Sequence, residues 1–168
     1  MISLEICIDA TNAADTAQDV GAAYAGGAAT VELCADLATQ GLTPANALVR
    51  VARAAFGQRR GLMVMIRPRA GDFVYTPAEV ALMQTQIEQA AEAGADGVVF
   101  GLLVPTATGY AIDLPNTALL TQAAKRLGLK VTFHRAFDEL PIQPHAHEWL
   151  DQLIALGVDR VLTCGAAL

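Results

Sequence analysis

Titratable and soft side chains recur in this sequence at the ends of short apolar runs. Val131-Thr132-Phe133 leads into His134-Arg135-Ala136-Phe137-Asp138, and residues 62–66 lead into Arg67-Pro68-Arg69-Ala70-Gly71-Asp72-Phe73. Glu5 and Cys7 share one apolar run, and Glu32 and Cys34 share another. Two chemistries are open to such a set. Arg67, Arg69 and His134 could hold a carboxylate or phosphate, since guanidinium groups bind anions in bidentate fashion. Glu5, Glu32 or His134 would then serve as acid or base, because two carboxyl groups sharing a site push one pKa upward. Alternatively, the thiols of Cys7 and Cys34, with the thioethers of Met63 and Met65, form a soft donor set suited to Cu(I), to which His134 adds an imidazole.

Each reading has a plainer rival. The cysteine spacing matches no recognised metal motif, and inward cysteines and methionines usually pack a core. Two arginines beside two glutamates can also neutralise one another without any ligand. Other features carry less. His145 and His147 are two residues apart, so a helix would not place them on one face, and they read as surface groups. Trp149 reads as a helix anchor, and Phe73 and Tyr75 either shield a pocket mouth or staple their loop. There is no Ser–His–Asp order, P-loop or CxxC motif.

Composition bounds the function classes. The 168 residues make one domain with a real core, taken as 1–168, and are too few for two ordinary domains. A hydrophobic fraction of 54% and a mean hydropathy of +0.38 fit helices packed on a sheet buried on both faces. No apolar run approaches the roughly 18 residues that cross a bilayer, and residues 1–10 carry Glu5 and Asp9 with no cation, unlike a secretory signal. The net charge of −6 argues against nucleic acid or an anionic membrane as partner. Three widely spaced cysteines, Cys7, Cys34 and Cys164, do not form a disulfide framework and point to a reducing cytoplasm.

These residues need elements to hold them. Apolar strands are expected at 3–8, 30–34, 62–66, 97–102, 130–134 and 160–163, and helices at 16–25, 44–56, 77–93, 115–127 and 143–156. Thr76-Pro77-Ala78-Glu79 is a capping box with proline at the first helical position, and Thr43-Pro44 resembles it. Gly26, Gly94, Gly128 and Gly157 stand where helix ends take a left-handed residue. Val80, Met83, Ile87 and Ala91 repeat at helical spacing. Strand–helix alternation with short connections implies right-handed crossovers and a parallel sheet. A closed (β/α)₈ barrel takes about 250 residues, so the expectation is a TIM-barrel-like α/β fold ending after the sixth strand. Residue parity then places Leu4, Ile6, Ile8, Val31 and Leu33 toward the helices, and Glu5, Cys7, Glu32, Cys34, Met63, Met65, Arg67, Arg69, His134 and Asp138 toward the interior.

Several of these segments also resemble the CutC family. They are Leu4-Glu5-Ile6-Cys7, Val31-Glu32-Leu33-Cys34-Ala35, Gly41-Leu42-Thr43-Pro44, Met65-Ile66-Arg67-Pro68-Arg69 with Gly71-Asp72-Phe73, Gly97-Val98-Val99-Phe100-Gly101, the run from Thr132 through Asp138, and Arg160-Val161-Leu162-Thr163. The resemblance implies a TIM-barrel-type fold, a cytoplasmic location and a link to copper binding or tolerance. Cysteine ligation proposed for the family would fall here on Cys7 and Cys34. Two features depart from the family pattern. Thr163-Cys164-Gly165 replaces the usual Thr-Ser-Gly, making Cys164 a third soft ligand or a substitute for a small hydroxyl. The sequence also stops at Leu168, before the last two strand–helix units. The exposed side of such a barrel is expected to be covered by a second copy or by swapped elements, as a homo-oligomer.

Overall fold

Six strands pair in parallel in the order β1 (Glu5–Asp9), β2 (Thr30–Cys34), β3 (Leu62–Met65), β4 (Gly97–Phe100), β7 (Lys130–Phe133) and β8 (Arg160–Val161). The helices between them are α1 (Ala13–Ala25), α2 (Asn46–Phe56), α3 (Pro77–Glu92), α4 (Leu114–Arg126) and α5 (Ile142–Ala155). The computed structural model describes residues 3–165, and within them the side chains of all but 142–145. The expected α/β fold is therefore present, as a partial TIM-type barrel whose six parallel strands follow chain order.

Parity sorted the two faces of the sheet correctly. Val31, Leu33, Leu62, Val64, Ile66, Val98 and Val131 lie in one large core with the inward stripes of the helices. In α3 that stripe is Val80, Met83 and Ile87, with Ala90 rather than Ala91 as its fully buried small member. On the other face Cys34, Met63, Met65 and Val99 form a separate cluster inside the barrel. The register pairs Cys7 with Glu32 and Asp9 with Cys34.

Several local expectations need correction. After β4 the chain forms an antiparallel hairpin, β5 (Leu103–Thr106) and β6 (Gly109–Ile112), instead of running straight to α4. The Thr76 capping box forms, but Thr43 does not cap α2, which starts at Asn46 behind Ala45. The Thr43 hydroxyl instead accepts from the Arg67 backbone N–H at 2.8 Å and donates to Gln86 Oε1 at 3.0 Å. Gly94, Gly128 and Gly157 take left-handed φ values, whereas after α1 it is Gly27, not Gly26, that does so. His147 is exposed as expected, and His145 lies outside the described side chains. Trp149 packs partly buried in the cluster with Phe133, Phe137 and Leu153, and its indole N–H donates to the Pro141 carbonyl at 3.2 Å. Among the described residues no helix is long and apolar enough to cross a membrane.

Candidate functional site

A cavity of about 280 Å³ opens at the C-terminal ends of the strands, lined by Cys7, Glu32, Cys34, Met65, Arg67, Phe73 and His134 among others. This is the end of the barrel at which parallel α/β folds place their chemistry. Glu32 and Cys34 reach it from β2, whose last residues are fully buried. His134 follows directly after β7 and Arg67 comes two residues after β3, with Ile66 between held by a strand-like hydrogen bond to the Val99 carbonyl. The His134 N–H likewise donates to the Phe100 carbonyl at 3.0 Å.

Arg67 is 2% exposed. Its Nη1 donates to the carbonyls of Thr39 (2.8 Å) and Gly41 (3.2 Å), and its Nη2 to that of Gly71 (2.7 Å). Its Nε is buried with no hydrogen-bond partner. Among the described residues no carboxylate forms an ion pair with this guanidinium. A buried charge is normally paired, because an unpaired one costs several kcal/mol in desolvation.

His134 is 3% exposed. Its Nδ1 accepts the Ala136 backbone N–H at 3.1 Å, which leaves the ring proton on Nε2, itself buried and unpartnered. Burial, and then the positive charge of Arg67, hold its pKa down at about 3, so the ring is neutral. The Phe73 ring packs 4.8 Å from the imidazole and 5.0 Å from the Arg67 guanidinium carbon, so Phe73 does wall the pocket. Gly101 makes room for the imidazole: a Cβ there would come within 2.6 Å of Nδ1.

Glu32 is 3% exposed, with Oε2 unpartnered. Burial first, then the charge of Glu5, push its pKa up to about 6. The Cys34 thiol donates weakly to Glu32 Oε1 at 3.5 Å, and its pKa is raised by burial and by Glu32. Cys7 is exposed, and its thiol is pushed up to about 11 by partial burial and by the two glutamates. Both cysteines are protonated at neutral pH. Among the described residues no group of three or more His, Cys, Asp or Glu is arranged to hold a metal ion.

The other expected site residues lie elsewhere. Glu5 sits at the N-terminal end of β1, where its Oε2 accepts from the Thr30 hydroxyl at 2.6 Å and pairs with Arg160 at 3.0 Å. Arg160 is the cation beside Glu5 that the sequence did not flag; its place in the expected strand 160–163 was the available signal. Arg69 does not join Arg67. Its guanidinium pairs with Glu79 (2.6 Å) and Asp72 (2.9 Å) and stacks on Tyr75, which staples the loop. Alternation cannot be carried past Pro68, because β3 ends at Met65. Asp138 likewise leaves the interior and binds Arg135, the Thr163 hydroxyl and the Cys164 N–H. Cys164 is exposed at that loop, not at the pocket.

The model of the CutC family matches residues 2–168. The chain belongs to the CutC family. It is 45% identical over 161 residues to the family protein CutC of Bacteroides fragilis, covering 96% of this chain and 58% of that protein. Against the corresponding protein of Vibrio vulnificus the identity is 44% over 164 residues, covering 98% and 60%. The chain thus spans about three-fifths of the length of these curated CutC relatives. The crystal structure of CutC from Streptococcus agalactiae superposes with a TM-score of 0.84 at 33% identity, covering 99% of this chain and 74% of that one. Deoxyribose phosphate aldolase from Aeropyrum pernix, at 14% identity, TM-score 0.66 and coverage of 96% and 61%, shares the fold alone.

Proposed function

We propose that the pocket at the strand C-termini binds a small anionic ligand, carboxylate or phosphate, with Arg67 as its counter-charge. His134 and Glu32 meet the rest of the ligand, Glu32 as the group able to give or take a proton. The observation that carries this reading is the buried Arg67 guanidinium, which no described carboxylate neutralises. Calorimetric titration with a panel of small carboxylates and phosphates tests it. Binding is expected, and Arg67→Met should weaken it at least tenfold, since hydrogen bonds to a charged group contribute about 1.5–3 kcal/mol. Silence across a broad panel would sink the proposal.

A second reading is cytoplasmic Cu(I) handling, in keeping with the copper-homeostasis name of the Streptococcus agalactiae relative. It is favoured by the opening of Cys7, Cys34 and Met65 onto the same cavity, a soft donor set. Three free cysteines also suit a reducing compartment. Because both thiols near the pocket have raised pKa values, Cu(I) capture must release protons and strengthen as pH rises. Competition against a Cu(I) chelator under anaerobic conditions decides it: an affinity unchanged in Cys7→Ser/Cys34→Ser removes copper from the site.

A further inference from the structure

We infer that the anion held by Arg67 is a short carboxylic acid monoanion with a second oxygen, a carbonyl or hydroxyl, placed to accept from His134. In chemical class this is a small oxo or hydroxy acid, and the inference rests on the anion reading above.

The donor inventory narrows the ligand. Of the five guanidinium N–H donors of Arg67, three are committed to the carbonyls of Thr39, Gly41 and Gly71. Anchored from two loops, the group cannot turn to follow a ligand, and what remains is the buried Nε–H and one Nη2 hydrogen, with the Tyr75 hydroxyl also close to the guanidinium. Two donors on one planar group match the two oxygens of a carboxylate. They would leave most of a phosphate's oxygens unserved.

His134 supplies a donor of a different kind. With Nδ1 occupied by the Ala136 N–H, the unpartnered Nε2–H is a neutral donor, buried on a side chain that lines the pocket. A neutral N–H pairs well with a carbonyl or hydroxyl oxygen, and leaving it unpaired is costly. The two donors share one wall, since the Phe73 ring touches both. Both side chains line the one cavity, within which a short molecule would span them.

Charge and size agree. The charged groups lining the cavity are Glu32, Arg67 and Arg135, and Arg135 is already paired with Asp138. With Glu32 keeping its proton, as its raised pKa allows up to about 6, one free cation suits a single negative charge better than a dianionic phosphate. The volume of about 280 Å³ is just below the usual range of roughly 300–1,000 Å³ for ligand pockets, and Leu37, Met65 and Leu162 leave an apolar surface for a short carbon chain.

The test compares four probes by calorimetry on the protein: 2-oxobutyrate, 2-hydroxybutyrate, butyrate and inorganic phosphate. An oxo or hydroxy acid is expected to bind about tenfold more tightly than butyrate, the worth of one added hydrogen bond in a buried site, and phosphate should bind more weakly than either acid. His134→Phe should bring the ratio to butyrate near one while butyrate binding survives. Should that variant fail to fold, nitrogen NMR of the unaltered protein serves instead, where the His134 Nε2 signal should move with 2-oxobutyrate and stay in place with butyrate. Butyrate or phosphate binding as tightly as the oxo acid, and lost in Arg67→Met, overturns this inference and leaves the anion reading standing. No binding by any of the four overturns this inference, and silence across the wider carboxylate and phosphate panel overturns the anion reading as well.

Discussion

Protonating His134 would set a second cation beside Arg67 inside the barrel, with neither ring nitrogen bonded to a carboxylate. That is why its pKa falls from 6.5 to about 3, burial being the larger cause and Arg67 the next. The unfolded chain takes up a proton near 6.5 that the folded chain refuses until about 3. The contribution of His134 is therefore complete above 6.5 and lost as pH falls toward 3. Glu32 works in the opposite sense. Its raised pKa lets the folded chain keep a proton between 4.5 and about 6, so its contribution is complete below 4.5 and lost as pH rises through 6. Removing the histidine should expose the difference. His134→Phe is expected to lose less stability than the parent between about pH 7 and pH 4, read as the shift in urea midpoint across that interval. Equal losses in the two proteins would mean that His134 is not held neutral in the fold.

Two aspartates tie the elements together at the opposite end of the strands. Asp96, just before β4, accepts from the backbone N–H groups of Gly61 (2.7 Å) and Leu62 (3.0 Å) at the start of β3, and pairs with Arg53 of α2. Asp159, just before β8, accepts from the Val131 N–H of β7 at 2.8 Å and binds Lys125 and Lys130. Each follows a left-handed glycine by two residues, Gly94 and Gly157, so one device serves two repeats. Asp96→Ala would leave the Gly61 and Leu62 N–H groups without their acceptor and Arg53 without its carboxylate, while the Arg53 contacts to the Gly57, Arg59 and Gly94 carbonyls remain. It should cost about 2 kcal/mol, the scale of hydrogen bonds to a charged group; denaturant unfolding with a change of only a few tenths would contradict this. How much of the arrangement was legible beforehand follows from where alternation holds. Within the strands it placed Glu5, Glu32, Cys34 and Met65 inside and Val31, Leu33 and Val64 against the helices, because a pleated strand allows nothing else. Past the strand ends it failed for Arg69 and Asp138, whose neighbours in the loop offered nearer partners. The β5–β6 hairpin was hidden because Pro105 interrupts a four-residue strand that is exposed along most of its length. The three carbonyls around Arg67 left no trace in side-chain identity at all, since backbone acceptors are the same in every residue.

At the scale of the whole molecule, the sheet has two edges, β1 and β8, and among the described residues no backbone ladder joins them. The link across the interior is a side-chain bridge, Arg160 of β8 to Glu5 of β1 at 3.0 Å, with Arg160 also donating to Thr132 at 3.0 Å. The bridging side chains are 38% and 24% exposed, and a pair so open to water contributes only ~0–1 kcal/mol. Leu4, just before β1, is 55% exposed and Ile6 within it only partly buried, beside a groove that runs to Asp19, Ala22 and Ala23 of α1. An apolar edge with unpaired backbone groups is a template for another strand, and the bridge is too weak to shield it. The 168-residue chain is therefore expected to associate with a second copy of itself through this side. Light scattering on the chain at concentrations on the order of tens of micromolar should give a mass above that of the monomer, and the association should persist at high salt, since apolar contact and backbone pairing rather than charge would drive it. A stable monomer under those conditions would contradict the expectation and place the protection of β1 in the groove against α1. Dissociation by salt alone would instead point to the ion pairs as what holds the copies together.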